Sequence, residues 1–149
     1  DIISGLKHYF HIEKQKVFKK HGLESHQFVM AFSNDRFYLL TLKDKNRDFK
    51  WPFSPAMKNE PVTLIHYFVF ENSLRMAGRD QREDVRIEYE TNLEVALAGV
   101  QTGKYRAIFS CCPSKLGKIS NFASAGEIMP PKSTNISPKI ADGRLLLHL

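Results

Sequence analysis

Residues 127–139 read Glu-Ile-Met-Pro-Pro-Lys-Ser-Thr-Asn-Ile-Ser-Pro-Lys, a composition unsuited to a random surface loop near the end of the 149-residue chain. Pro130-Pro131 stiffens the backbone. Lys132, Ser133 and Thr134 then present one ammonium and two hydroxyls in succession, with Glu127 upstream and Lys139 after Pro138. Donors held on a rigid backbone at low entropic cost are what an anion or phosphate site requires. The glycine spacing of a phosphate-binding P-loop is absent, so this is a different kind of loop. The same residues would also serve a plain tight turn, with Lys132 paired to a carboxylate and both hydroxyls bonded to backbone.

Other candidates are weaker. His8 and His11, with Glu13 close by, have a spacing that suits one helix face, but the surroundings read as extended, where the side chains diverge. His66 falls within an apolar helix and reads as a core histidine with one hydrogen bond. No metal site or catalytic partner is expected. Cys111 and Cys112 are adjacent, so in a strand they point to opposite faces and make poor disulfide or zinc partners. Reduced, mostly buried thiols fit the cytoplasm.

Basic residues exceed acidic ones by 22 to 16, a net charge of +6 that attracts anions in general. The clusters Lys14, Lys16, Lys19, Lys20 and Lys43, Lys45, Arg47, Lys50 lack the interleaved aromatics of a nucleic-acid stacking surface. Arg75, Arg79, Arg82 and Arg86 are offset by Asp80, Glu83, Asp84 and Glu88, as on a solvated face. The longest apolar run, 62–70, is broken by Thr63 and His66 and is far below the roughly 20 residues of a membrane span. The opening Asp1-Ile2-Ile3 has no initiator Met and reads like the interior of a longer protein.

The elements that must position the loop are those of one α/β to α+β domain with a mixed sheet, an antiparallel hairpin near the N-terminus and about three packed helices. Residues 8–12 read as a first strand, and 15–20 as a short helix or solvated turn. Residues 27–32 and 36–42 form a hairpin around Ser33-Asn34-Asp35. A proline-rich connection leads to Pro61, the first residue of a helix over 62–76 ending near Gly78. Residues 85–89 alternate as a strand. Thr91 and Glu94 suggest a capping box for a helix that stops at Gly103. A largely apolar strand over 105–112 is placed centrally, Pro113-Ser114 starts a helix ending at Gly126, and 144–148 form a last strand. The order from residue 85 allows a right-handed crossover.

The segment Met129-Pro130-Pro131-Lys132-Ser133-Thr134, followed by Pro138-Lys139 and the Gly143-anchored last strand, resembles the C-terminal signature of a bacterial uncharacterised family, domain of unknown function ten-fifteen. The hairpin strand at 36–43, the helix opening at 62–66, Ile87-Glu88-Tyr89, Ala107-Ile108-Phe109 and Pro113-Ser114 resemble its other landmarks, so the similarity covers nearly the whole chain. Asn135, Ile136 and Ser137 stand where that family usually carries aromatics, and Cys112 where it usually carries Asn.

The resemblance implies that the chain is the C-terminal part of a longer cytoplasmic protein, and it implies no established activity. The family's N-terminal part is loosely similar to ParB-like proteins, a group that includes small-molecule kinases, which raises the expectation of a phosphate-bearing ligand. The leading expectation is therefore a domain that binds an anionic small molecule. Lys132 supplies charge, Ser133 and Thr134 hydrogen bonds, Glu127 orients Lys132 or accepts from ligand, and Lys139 adds a second cation. One alternative is part of a small-molecule phosphotransferase completed by an N-terminal region. The other is a regulatory or nucleic-acid-binding module.

Overall fold

A computed structural model describes residues 2–19, 21–32, 36–44, 54–55, 57–76 and 87–113, together with 122, 124 and 126. Four strands form one antiparallel sheet: β1 (Phe10–Gln15), β2 (Gln27–Phe32), β3 (Arg36–Leu42) and β4 (Ala107–Cys111), in the order β1-β3-β2-β4. The hairpin β2–β3 forms as the sequence pattern predicts, with Phe28 opposite Leu40 and Met30 opposite Tyr38. β1 pairs with the outer side of β3, placing Phe10 opposite Leu42. β4 pairs with β2, placing Cys111 opposite Phe28 and Phe109 opposite Met30.

Because side chains alternate along a strand, these registers put Phe10, Phe28, Met30, Leu40, Leu42, Phe109 and Cys111 on one face. That face is covered by α1 (Ile2–Tyr9) and by α2, an α-helical turn at Pro61–Leu64 that continues into a π-helix at Ile65–Ser73. The core is their common product: Leu6, Phe10, Phe28, Met30, Leu40, Leu64, Phe68 and Val69 are all buried. Its rings meet edge to face, with Phe10 at 5.9 Å from Phe28 and 6.0 Å from Phe68. Val29 and Ala31 point to the opposite face and are also buried, so β2 is covered on both sides. α3 (Leu93–Gln101) packs against β2 and β4.

Several expectations shift. The stretch at 8–12 divides, with His8 and Tyr9 closing α1 and β1 beginning at Phe10. Ile2, Ile3, Leu6 and Tyr9 recur at helical spacing and give α1 its inner side. Of the two readings for 15–20 the turn holds rather than the helix, the chain leaving β1 through an exposed bend at 16–17. Residues 87–89 add no strand to the sheet, so the crossover allowed by the sequence order does not arise among the described residues. β4 lies at the end of the described sheet rather than at its centre.

The helix starting at Pro61 ends at Ser73 instead of 76, for a local reason. Asn72 Nδ2 donates to the Tyr67 carbonyl at 2.6 Å, and Ser73 Oγ donates to that of Phe68 at 2.7 Å. Both side chains thus take carbonyls five residues back, the spacing of π-helical bonds. The Leu74 N–H closes the last turn on the Val69 carbonyl, and Arg75 follows in the left-handed region at φ 55°. The segments at 45–53, 114–121 and 144–148 lie outside the described residues.

Candidate functional site

All five residues of the sequence-derived site, Glu127, Lys132, Ser133, Thr134 and Lys139, lie outside the described residues. The described residues nearest to them in sequence are Phe122, Ser124 and Gly126. Phe122 is helical and buried, Ser124 is helical, and Gly126 has φ 68°, the backbone expected where a helix stops.

Within the described residues, polar groups collect where the start of α2, β4 and the segment before α3 meet. Glu60 occupies the N-cap position of α2 and is fully buried, although its carboxylate makes no capping bond. Its backbone is fixed at both ends: the N–H donates to the Met57 carbonyl, and the carbonyl accepts from the Leu64 N–H. Thr63, one turn on, is buried and its hydroxyl finds no hydrogen-bond partner. Burial, the neighbouring Cys112 and the Glu60 carboxylate together push the Cys111 thiol up to about 11. A thiol in that condition is a poor nucleophile at neutral pH. Neither cysteine is in a disulfide, and both are partly exposed rather than fully buried.

His66 lies on the first turn of the π-helix and is a buried core histidine with a hydrogen bond, as its apolar setting suggests. Its Nε2 and the Tyr89 hydroxyl are 3.3 Å apart, the two rings lie nearly parallel at 12°, and Phe70 meets the imidazole edge-on at 5.1 Å. Burial holds the Tyr89 phenol above its usual range, so it stays protonated and keeps its O–H as a donor. Tyr89 is 38% exposed, so the pair links the core to the surface.

Sequence reading missed Glu60 and Tyr89 as partners of this region. The available signals were the acid immediately before a helix-starting proline and an aromatic in a stretch that alternates like a strand. Long π-helices are rare and short π segments often mark functional positions, which draws attention to His66.

The other sequence candidates disperse. His8 is in α1 against Tyr9, while His11 is in β1; both are exposed. No group of three or more His, Cys, Asp or Glu could hold a metal ion among the described residues. No described helix is long and apolar enough to cross a membrane. The capping residue of α3 is Asn92, not Thr91: Asn92 Oδ1 accepts from the N–H groups of Glu94 at 3.0 Å and Val95 at 3.3 Å. Gly103, at φ 77°, ends that helix as expected.

Comparison with known proteins adds no relative: no family model matches the chain, and neither curated proteins nor solved structures give a match. The resemblance to the uncharacterised bacterial family therefore rests on the quoted residues.

Proposed function

We propose that this chain is a cytoplasmic domain that binds an anionic, phosphate-bearing small molecule through residues 127–139. The observation that carries the reading is the run Lys132-Ser133-Thr134 directly after Pro130-Pro131, an ammonium and two hydroxyls on a backbone with little freedom left to lose. Two features support it. Gly126 has the backbone of a helix stop immediately ahead of the loop. The net charge of +6 favours anionic ligands. Cysteines outside any disulfide support the compartment.

The test is a thermal-melting screen of nucleotides and phosphorylated metabolites on the wild type and on Lys132→Ala. The reading expects at least one phosphorylated compound to stabilise the wild type and to lose that effect in the variant. Stabilisation that survives Lys132→Ala unchanged, or a screen in which no compound raises the melting temperature, contradicts it.

A further inference from the structure

We infer that the bend following β1 docks the protein on an anionic lipid surface, with Val17 entering the headgroup layer and Lys14, Lys16 and Lys19 meeting the lipid phosphates. Val17 is 71% exposed, more than any other large apolar side chain among the described residues. A single exposed valine is ordinary; the way this one is held and what surrounds it are not.

β1 ends at Gln15, which lies opposite Phe37 in β3. Three residues later the Phe18 ring meets the same Phe37 edge to face, at 5.9 Å and 89°. Both ends of the bend are therefore fastened to one residue of β3. Lys16 and Val17 stand between those two fastenings, and both are exposed.

The charge around Val17 has one sign. From residue 14 through 20 the sequence carries four lysines and no Asp or Glu. Lys14 and Lys16 are exposed and Lys19 is half-buried, and none of the three makes a hydrogen bond or ion pair among the described residues. Each lies within three residues of Val17, at most about 11 Å along an extended chain, which is about one screening length at about 0.1 M salt. Their charges thus act on a partner together. Glu13 adjoins Lys14 in β1, and neighbours in a strand point to opposite faces, so its carboxylate does not share the face of Lys14.

Membranes and nucleic acids both attract lysines, and the apolar groups decide between them. Binding of single-stranded nucleic acid uses aromatic rings as stacking platforms. The ring in this bend, Phe18, is half-buried and already packed on Phe37. Val17 has no side-chain donor or acceptor. An exposed aliphatic group among lysines instead matches the boundary of headgroups and acyl chains, where lysine stems lie along apolar surface and their ammonium groups reach phosphates. The attachment is peripheral, because no described helix is long and apolar enough to cross a membrane.

The test is co-sedimentation of the full chain with phosphatidylcholine vesicles and with vesicles in which about a third of the lipid is phosphatidylserine, at about 0.1 M salt. Binding to the anionic vesicles and not to the neutral ones is expected. A lysine near such a surface contributes about fivefold, so Lys16→Gln combined with Lys19→Gln should weaken binding by about 25-fold. Val17→Ser should weaken it by roughly three- to tenfold, less than full burial of a valine provides. Lys132→Ala should leave it unchanged, which separates this surface from the ligand site proposed for residues 127–139. Equal binding to both vesicles, or to neither, overturns the assignment. So does anionic binding that the bend variants retain, or that Lys132→Ala abolishes. A single-stranded oligonucleotide that binds with the same lysine dependence and no Val17 dependence, while vesicles do not bind, overturns it in favour of nucleic acid.

Discussion

Cys111 offers a quantitative check on how the core is built. Its thiol is raised from an ordinary 9.0 to about 11, first by burial and then by Cys112 and Glu60. Between those two values the unfolded chain has released a proton that the folded chain still holds. The stabilisation is therefore complete below about pH 9 and is lost as pH rises through about 11. One proton is worth about 1.4 kcal/mol per pH unit, so a gap of about two units sets a ceiling of about 2.7 kcal/mol, of which about 2 kcal/mol is gone by pH 10.5. The assay is urea unfolding of wild type and Cys111→Ala at pH 8 and pH 10.5. The alanine variant loses packing at both pH values, on the order of 1 kcal/mol. Tyrosine and lysine titrations are common to both proteins and cancel in the comparison. The wild type should lose about 2 kcal/mol more than the variant between the two pH values. Equal losses would show that Cys111 is not desolvated by the helix layer above β4, and the described packing of that layer would be wrong.

Two further substitutions probe α3. Asn92→Ala removes the oxygen that caps the Glu94 and Val95 N–H groups and should cost about 1 kcal/mol, read as a fall of about 3 °C in melting temperature. Thr91→Ala should change stability by less than about 0.5 kcal/mol, and the reverse ranking would restore Thr91 as the cap. Gly99→Ala places a methyl group against the Tyr105 ring, whose hydroxyl is held by Lys104 Nζ at 2.7 Å. The clash should cost about 1–3 kcal/mol despite the better helix propensity of alanine, and a stabilised variant would show that the ring yields.

The parts of the fold that were legible in the sequence are those fixed by local pattern. β-branched and aromatic residues around Ser33-Asn34-Asp35 announce β2 and β3, and Pro61 and Gly103 mark where helices start and stop. The cap of α3 was misplaced by one residue because Thr91 and Asn92 are both competent, and backbone conformation decides between them: Asn92 is extended at φ −94° with its oxygen over the first turn. α1 was hidden by its neighbour, since the aromatic run across its end reads as strand while Ile2, Ile3, Leu6 and Tyr9 keep helical spacing. The π winding of α2 depends on Asn72 and Ser73 reaching main-chain carbonyls, and no periodicity reports that. The position of β4 beside β2 rests on pairing across some 80 residues of chain, which local signals do not encode. The meeting of His66 with Tyr89 is equally non-local, being set by how α2 lies against the segment before α3. Residues 127–139 are conspicuous from composition alone and lie outside the described residues.

The central claim is that Lys132 holds the anionic end of a ligand. Its most direct test is calorimetric titration of the best phosphorylated compound from the screen into wild type, Lys132→Ala and Lys132→Arg. Loss of one charge-assisted contact should weaken binding in Lys132→Ala by about 1.5–3 kcal/mol, roughly 10- to 150-fold, with Lys132→Arg falling between the two. A dissociation constant that is the same in all three proteins would contradict the account.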